Sequence, residues 1–479
     1  MAIQNEFVKF NLSTQIVDAL TILKMHVPTP IQEEVIPRIL GGEHVIAKSQ
    51  TGSGKTAAFG IPICEMVTWD VREPQALVLE PTRELTVQVK QELYFIGRHK
   101  RLKVADVFGG FPIDKQIQTL RQKNHIVVGT PGRVEDHIRR ESLKLERIKY
   151  LVIDEADLML DMGFAEEVRH IVNLLPADIQ ICLLSATMTQ KVQALIRDMN
   201  KEATFIEMEA DTQVVDAVTQ KLYKVDADLK YKTFLDVLAV ENPDSAMIFC
   251  GTRDMVDILG HKLQRDQIKV AVLHGEIDQA QRLKAIDGFK AGRYRYLIAT
   301  DVASRGVDVA KLSHVFNYDF PTGKETYVHR IGRTGRNGAT GIAVSIVTPD
   351  DEAMHAQVEA YIKKDLVLLE PPIASEEVKK AFKQKQQKVQ ALKKPREAGF
   401  HKLITKLVIG GGKKSKLRTI DIVGTICSIE GMTAEDIGAI DIRDSLTYVE
   451  ILHGKGELVR ASLQEKTIKG KVRKVRIAR

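Results

Sequence analysis

The sequence predicts an α/β chain with two tandem doubly wound parallel-sheet domains, followed by a small α+β domain. Three observations support this fold class. Short apolar runs alternate with helix-length amphipathic segments over residues 1–370, the alternation breaks once near residues 207–215, and a Lys- and Gln-rich stretch precedes a last unit that begins near residue 403. Continuous apolar strands that alternate with helices are typical of parallel sheets buried on both faces.

The apolar runs set the domain boundaries. They lie at 44–48, 76–80, 125–129, 150–154 and 181–185 in the first set, and at 246–250, 270–274, 296–300, 314–318 and 342–347 in the second. We therefore expect a first domain over 1–207, a linker over 208–215 and a second domain over 216–370. Ligands of such sheets bind beyond the carboxyl ends of the strands.

The rest of the chain divides into a basic linker and a small domain. Residues 371–402 predict a basic helix followed by a flexible linker, and residues 403–479 predict the α+β unit. Its expected strands are 406–412, 446–452 and 471–478, and its expected helices are 419–431 and 456–468.

Composition excludes several protein classes. The 479 residues are 44% hydrophobic and 28% charged, which is ordinary globular usage. No stretch approaches the roughly 18 apolar residues of a membrane span, and the first residues lack the pattern of a signal peptide, so we expect a cytoplasmic protein. The four cysteines are far apart in sequence, which indicates neither a disulfide framework nor a zinc site.

Positive charge is concentrated in the last part of the chain. Residues 371–479 contain 24 Lys and Arg against 12 Asp and Glu, whereas residues 1–370 contain 46 against 51. A basic tail on an acidic body favours contact with a polyanion such as nucleic acid, although a solvated Lys-rich surface has the same composition.

The strongest motif directly follows the predicted strand 44–48. It consists of Ser49, Gln50, Thr51, Gly52, Ser53, Gly54, Lys55 and Thr56. In such a loop the backbone N–H groups surround phosphate oxygens, Lys55 reaches the β- and γ-phosphates and the Thr56 hydroxyl coordinates Mg²⁺. Ser49 stands where the general motif has its first glycine. This segment therefore predicts a binding site for the phosphates of a nucleotide.

Two further segments complete a hydrolysis site. Asp154 and Glu155 follow the apolar strand residues 150–153, where Asp154 would hold Mg²⁺ through water and Glu155 would act as the general base. Arg333 and Arg336 are three residues apart in a glycine-punctuated segment and could both stabilise charge on a transferring phosphoryl group. Considered alone, that segment is more typical of a basic solvated turn.

Together these residues resemble the DEAD-box RNA helicases, across almost all of residues 1–370. Asp154-Glu155-Ala156-Asp157 is the tetrapeptide that names the family. The other matching motifs are at 81–85, 109–110, 130–133, 185–187, 279–282, 299–308 and 329–336. The resemblance implies two RecA-like domains that use ATP and Mg²⁺, are independent when empty, and close on ATP plus RNA to separate short duplexes locally.

The resemblance also assigns roles to individual residues. Phe7, Met25 and Gln32 match the adenine-binding element, and Met25 replaces the aromatic ring that most of the family stacks on the base. Further matches are Gly306 and Asp308 at the nucleotide, with Asp308 at the ribose, and Arg333 and Arg336 as arginine fingers. Residues matching the coupling of hydrolysis to RNA are Asp157, Ser185, Thr187 and His329. Residues matching the contacts to the RNA backbone are Arg83, Gly110, Thr130, Arg133, Thr252, Gly275, Arg282 and Thr300.

The C-terminal unit is similar to an RNA recognition domain (RRM-like) with a reduced stacking platform. Only Tyr448 marks its central strand, and ordinary strand packing would also explain that ring. Positive side chains are available for RNA instead: Lys413, Lys414, Lys416, Arg418, Arg473, Lys474 and Arg476.

This tail resembles that of one bacterial subfamily of DEAD-box proteins. The resemblance implies a monomer that is targeted to a hairpin near the peptidyl-transferase centre of 23S rRNA and acts on pre-50S particles in ribosome biogenesis. Two other function classes remain compatible with the residues: an ATP-gated RNA clamp with little strand separation, and a DNA-acting ATPase motor.

Overall fold

A computed structural model describes residues 5–49, 52–199, 201–208, 218–304, 307, 312–335, 340–388 and 404–478. The chain forms two compact units. One unit contains residues 1–208 together with residues 395–479, and the other contains residues 209–394. Within the described ranges, no helix has both the length and the apolar composition needed to cross a membrane.

The first unit contains a parallel sheet of seven described strands. They are β1 (His44–Lys48), β2 (Ala76–Leu79), β3 (Val104–Val107), β4 (Ile126–Gly129), β5 (Tyr150–Ile153), β6 (Gln180–Ser185) and β7 (Ala203–Glu207). Their spatial order is β3-β4-β2-β5-β6-β1-β7, so β5 and β6 lie between β1 and β2, which are consecutive in the sequence. All pairings are parallel, so the carboxyl ends of β1, β2, β5 and β6 lie at one edge.

Helices cover both faces of this sheet. They are α1 (Thr14–Ile22), α2 (Pro30–Leu40), α3 (Lys55–Met66), α4 (Arg83–Ile96), α5 (Ile113–Leu120), α6 (Pro131–Arg139), α7 (Ala156–Asp161), α8 (Ala165–Leu174) and α9 (Gln190–Met199). Two apolar clusters fill the space between helices and sheet, one beneath α2, α3 and α4 and the other beneath α6, α7 and α8. Burial on both faces explains why strands such as β2 are continuously apolar.

The second unit repeats this architecture. Its described strands are β8 (Val218–Lys224), β9 (Ala246–Cys250), β10 (Val270–Leu273), β11 (Tyr296–Thr300), β12 (His314–Asn317), β13 (Gly341–Val347) and β14 (Leu368–Leu369). They form a parallel sheet in the order β10-β11-β9-β12-β13-β8-β14. Its helices are α10 (Lys230–Glu241), α11 (Arg253–Arg265), α12 (Gln279–Lys290), α13 (Asp301–Ser304), α14 (Lys324–Ile331), α15 (Glu352–Ile362) and α16 (Glu376–Gln387).

Helix α16 lies in the segment that we predicted as a basic linker. Phe382 on this helix is buried in the same apolar cluster as Phe234 of α10. Lys379 also forms an ion pair with Asp236 at 3.4 Å. The first part of the basic segment is therefore packed on the second parallel-sheet domain, while residues 389–402 lie outside the described part of the chain.

The C-terminal segment forms a small antiparallel sheet. Its strands are β15 (Thr405–Gly410), β16 (Ile437–Ile442), β17 (Leu446–Ile451) and β20 (Val475–Ile477), in the order β16-β17-β15-β20. Helices α17 (Thr419–Cys427) and α18 (Gly456–Ser462) pack on one face, and β18 (Thr467–Ile468) pairs with β19 (Lys471–Val472). The predicted fold class, two RecA-like parallel-sheet domains followed by a small RRM-like α+β domain, is confirmed.

Candidate nucleotide and RNA site

The phosphate-binding loop connects β1 to α3. Gly54 has φ +97°, and a Cβ atom at this position would lie 2.5 Å from Gln32 Nε2, so only glycine fits. The Gln32 side chain donates a hydrogen bond to Gly54 O at 3.1 Å and accepts one from Thr29 N at 3.0 Å. Helix α2 therefore holds the loop at the start of α3. The predicted loop residues Gln50 and Thr51 lie outside the described residues.

Lys55 is buried beneath this loop and is paired with Glu155. Lys55 Nζ lies 3.1 Å from Glu155 Oε1 and donates to Ser49 O at 3.1 Å. Burial alone would lower the pKa of Lys55, but the carboxylates of Glu155 and Asp154 outweigh burial and raise it. The structure therefore brings together the three predicted hydrolysis residues of the first unit, which are Lys55, Asp154 and Glu155. Lys55 carries its positive charge there.

Asp154 stands at the carboxyl end of β5, next to a second buried carboxyl group. Burial raises the pKa of Asp154 above its usual range, against the opposing effect of Lys55. Glu80 follows β2, the neighbouring strand, and is fully buried. Burial and then the charge of Asp154 raise the pKa of Glu80 well above normal, and neither Glu80 carboxyl oxygen has a hydrogen-bond partner among the described residues.

This concentration of carboxyl groups fits a magnesium ion. Desolvation disfavours the charged form of the buried Asp154, so a nearby cation would stabilise that charged form. Mg²⁺ prefers carboxylate, hydroxyl and water oxygens as ligands. Thr56 stands in the first turn of α3 and supplies a hydroxyl. Asp154 and Thr56 are therefore the residues that would hold the ion.

Asp157 connects the carboxylate segment to the end of β6. Its Oδ2 accepts hydrogen bonds from Thr187 N at 2.8 Å and from the Thr187 hydroxyl at 2.7 Å. The Ser185 hydroxyl donates to Thr187 O at 2.7 Å and accepts from Asp157 N at 3.2 Å. The predicted coupling residues of the first unit therefore form one hydrogen-bonded network, and Ser185 O also accepts from Ser49 N of the phosphate-binding loop at 2.9 Å.

The predicted adenine-binding residues occupy different environments. Phe7 is 1% exposed and packs in the core of the first unit, where it positions the N-terminal segment. Met25 is half-buried, and its carbonyl accepts from the Asn5 side chain at 2.9 Å. Gln32 contacts the phosphate-binding loop directly through its hydrogen bond to Gly54 O.

The predicted RNA contacts of the first unit cluster after β2, β3 and β4. The Arg83 guanidinium lies so close to Gly110 that a side chain at Gly110, which has φ +82°, would collide with it. Thr130 caps α6, and Arg133 donates to Phe111 O at 3.1 Å. These elements present two guanidinium groups and a glycine loop at the same sheet edge, which suits a nucleic-acid backbone.

In the second unit, the arginine segment is held by a residue that we did not predict. Arg330 is buried and makes a two-bond pair with Asp301 at 2.6 and 2.7 Å, while its third nitrogen donates to Asp319 O at 2.7 Å. Arg333, three residues further along the chain, is half-buried and donates to Val307 O at 3.2 Å. His329 is exposed. Gly306, Asp308 and Arg336 lie outside the described residues.

The other predicted RNA contacts of the second unit follow its strands. Thr252 is exposed and caps α11, accepting from Met255 N at 3.2 Å. Gly275 is exposed after β10, and Arg282 on α12 donates to Ala303 O at 2.8 Å. Thr300 ends β11 and accepts from Ala303 N at 3.3 Å.

The basic side chains of the C-terminal domain divide into two groups. Lys413, Lys414, Lys416, Arg418, Lys474 and Arg476 are exposed. Arg473 instead donates to Gly410 O at 3.0 Å and to Ile468 O at 3.2 Å, so it connects β15 to the β18 hairpin. Tyr448 is half-exposed between two cations, with Arg443 Cζ 4.6 Å and Lys406 Nζ 5.3 Å from its ring centroid.

Sequence reasoning missed Glu80 and Arg330, and only Glu80 carried a signal in the sequence. Glu80 is a charged residue at the end of an otherwise apolar run, the position where ligand-binding groups of parallel sheets stand. The position of Arg330 in the sequence gives no reason to treat it differently from Arg333. Only the burial of Arg330 in the folded chain distinguishes the two residues.

Three family matches cover the chain in order. Residues 29–195 match the DEAD/DEAH box helicase family, residues 229–338 match the helicase conserved C-terminal domain, and residues 406–477 match the DbpA RNA binding domain.

Full-length relatives and solved structures agree with these matches. The chain is 45% identical to the ATP-dependent RNA helicase DbpA of Bacillus subtilis over 98% of this chain and 99% of that protein. It is 40% identical to the DEAD-box ATP-dependent RNA helicase CshA of Geobacillus kaustophilus over 77% of this chain and 79% of the relative. It is also similar to S. cerevisiae Dbp5 bound to RNA and ADP BeF3, with a TM-score of 0.69, 30% identity and coverage of 80% of this chain and 100% of that one.

Proposed function

Because the chain belongs to the DbpA subfamily of the DEAD-box ATP-dependent RNA helicases, we propose that it separates short RNA duplexes locally and that its C-terminal domain targets it to 23S rRNA. We propose further that it acts as a monomer on pre-50S ribosomal particles in the cytoplasm. The observation that carries the proposal is the network that joins Asp157 to Ser185 and Thr187 beside the ATP site.

ATP hydrolysis is assigned to the residues grouped around the phosphate-binding loop. Lys55 would bind the β- and γ-phosphates, and Glu155 would accept a proton from the attacking water. The Lys55–Glu155 pair at 3.1 Å would exchange for a Lys55–phosphate contact when ATP binds, which frees Glu155 as a base. Mg²⁺, held by Asp154 and Thr56, would neutralise phosphate charge. Arg333 would add positive charge at the transferring phosphoryl group, as its match to an arginine finger implies.

RNA binding would couple to hydrolysis through the Asp157 network. Arg83, Gly110, Thr130 and Arg133 follow strands of the same sheet edge at which β6 ends with Ser185 and is followed by Thr187. A strand held there through its phosphates and 2′-hydroxyls would be read for backbone shape and not for sequence. Sequence preference is therefore assigned to the C-terminal domain.

The first test compares nucleic acids as activators of the full-length protein. ATP turnover is measured with purified 23S rRNA, with 16S rRNA, with single-stranded DNA and without polymer. We expect 23S rRNA to activate at the lowest concentration and DNA not to activate. Equal activation by both rRNAs would refute the targeting, and activation by DNA would favour the DNA motor.

The second test measures strand release from a short RNA duplex attached to 23S rRNA. Release that depends on ATP supports the helicase proposal, whereas RNA retention without release would favour an ATP-gated clamp. The variant Lys413→Glu/Lys414→Glu should lose the preference for 23S rRNA, because both side chains are exposed in the C-terminal domain. The matched control Lys144→Glu/Lys149→Glu changes the same charge on the exposed surface of the first domain and should retain the preference.

A further inference from the structure

The open face of the C-terminal sheet is partly covered within its own unit. Alternate residues of β17 point away from the helices, so that Val449 and Ile451 enter the core of the small domain while Tyr448 and Glu450 lie on the opposite face. Glu450 is nevertheless only 5% exposed. Lone carboxylates are rarely buried without a partner, so the residues that cover Glu450 identify what this face contacts.

The covering residues belong to the end of α4 and the segment that follows it. Tyr94 donates its hydroxyl to Glu450 Oε1 at 3.0 Å, and Arg98 Nη2 lies 3.2 Å from the same oxygen. The Arg98 guanidinium also stacks over the Tyr94 ring, with 5.0 Å from Cζ to the ring centroid. A tyrosine hydroxyl and a guanidinium therefore hold one buried carboxylate.

Further contacts extend this interface along the segment 98–103. Arg101 donates to Ala434 O, and Lys103 Nζ donates to Ile440 O at 3.3 Å. Burial lowers the pKa of Lys103, and the nearby charges of Asp441 and Glu450 oppose this shift. The basic run Arg98–Lys103 thus meets carboxylates on the β16–β17 side of the sheet.

Apolar packing accompanies these polar contacts. Ile404, just before β15, and Leu452, just after β17, are 8% and 1% exposed. Both belong to the apolar cluster of the first parallel-sheet domain, not to that of the small domain. The two domains therefore share a core.

We propose that the Glu450 side of the C-terminal sheet is a docking surface for the Tyr94–Lys103 segment of the ATP-binding domain, and that RNA binds outside it. This surface is the one on which RNA recognition domains stack bases. RNA would instead contact the exposed basic side chains around Lys413–Arg418 at the end of β15. Docking fixes the RNA-targeting domain on the domain that binds ATP.

Zero-length cross-linking tests this docking without RNA or ATP, so that its outcome is independent of the proposed function. A carbodiimide joins amines to adjacent carboxylates, and we expect a cross-linked peptide that contains Lys103 and Asp441 or Glu450 in the full-length protein. Lys455 and Asp436, 2.8 Å apart inside the C-terminal domain, provide the internal reference. Absence of the Lys103 cross-link beside a normal reference would overturn the proposal.

Charge reversal on the ATP-binding domain makes the test specific. Arg98→Glu leaves the small domain unaltered and should reduce the Lys103 cross-link by about tenfold or more, because it places a negative charge against Glu450. The double variant Arg98→Glu/Glu450→Arg should restore the cross-link. The control Arg121→Glu, on an exposed residue at the end of α5, should have no effect. An undiminished cross-link in Arg98→Glu would overturn the assigned interface.

Adding 23S rRNA tests the second half of the proposal. If RNA binds outside the docking surface, the yield of the Lys103 cross-link does not change at saturating RNA. The yield of the Lys455–Asp436 reference cross-link is also unchanged. Loss of the Lys103 cross-link on RNA addition would show that RNA and α4 compete for the same face, and would overturn the separation of the two surfaces.

Discussion

Lys55 Nζ lies 3.1 Å from Glu155 Oε1, so the lysine that we propose for phosphate binding and the carboxylate that we propose as the general base neutralise each other at a buried position. Glu155 itself has φ 49° and ψ 47°, a left-handed conformation that is uncommon outside glycine. Backbone geometry of this kind is found at functional sites. The pairing holds the Glu155 side chain beside the phosphate-binding loop.

Replacing Glu155 by Gln should abolish hydrolysis while ATP and RNA still bind. The amide keeps the shape of the side chain but cannot accept the proton from water, so we expect turnover to fall about 10²–10⁴-fold. Steady-state phosphate release and equilibrium nucleotide binding measure the two effects. The exposed Glu166 provides a matched control, and Glu166→Gln should turn over normally. Rapid turnover in Glu155→Gln would exclude the assigned role.

Arg333 should support ATP turnover, whereas Arg330 should support the stability of the folded domain. Arg333→Ala should leave the protein folded and reduce turnover about 10³-fold, as loss of an arginine finger does. Arg330→Ala should lower the free energy of unfolding by about 3 kcal/mol, because it leaves Asp301 and Asp319 O without their buried partner. Phosphate release and thermal unfolding, measured on both variants, separate the two roles. Normal turnover in Arg333→Ala would contradict the first assignment.

Gln32 should discriminate adenine more strongly than Met25 does. Hydrogen-bond readout distinguishes bases more sharply than apolar packing, and Gln32 also holds Gly54. We expect Gln32→Ala to reduce the preference for ATP over GTP about tenfold, and Met25→Ala to reduce it less. The ratio of kcat/KM for the two nucleotides measures the effect. Equal losses in the two variants would contradict this division.

His125 should make the first domain less stable in acid. Burial lowers its pKa to about 4, while its ring contacts Trp69 O at 3.1 Å and accepts from Lys103 N at 2.8 Å. Since the unfolded chain takes up this proton near pH 6.5 and the folded chain does not, stability falls as the pH decreases from about 6.5 to 4, by up to about 3 kcal/mol. Above pH 6.5 the contribution is constant.

Urea unfolding at pH 7 and pH 5 measures this effect through the fluorescence of Trp69, the only tryptophan of the chain. His125→Gln should reduce the pH dependence and leave the part contributed by His137, whose pKa burial also lowers to about 4. His170→Gln, a change at an exposed histidine, should preserve the full pH dependence. An identical pH dependence in His125→Gln and the original protein would show that another group is responsible.

Most of the two large sheets could be predicted because their central strands are apolar on both faces. The run 44–48 coincides with β1, and the runs 181–185 and 342–347 differ from β6 and β13 by one residue each. Polar residues explain why two other strands were missed. Asp106 interrupts the apolar pattern of β3, and the polar residues 219–221 and Lys224 break the apolar pattern of β8.

The small domain was predicted less completely for a related reason. Strand β16 was missed because Gly438 and a shift in register with β17 interrupt its pattern. The expected helix 456–468 ends at Ser462, because Thr467 and Ile468 pair with β19. The grouping of Lys55, Asp154 and Glu155 could be predicted from motifs, whereas the burial of Arg330 and Glu450 depends on distant parts of the chain and leaves no local pattern.

The shared core of the first unit has a consequence for biosynthesis. Ile404 and Leu452 complete an apolar cluster whose other members lie between Phe7 and Ile206. A ribosome that adds about 5–20 residues per second needs about 10–40 s to make the intervening second domain. During that interval the nascent ATP-binding domain exposes an apolar patch that its own chain cannot yet cover. The second domain, which is continuous in sequence, can finish folding first, so the order of maturation differs from the order of translation.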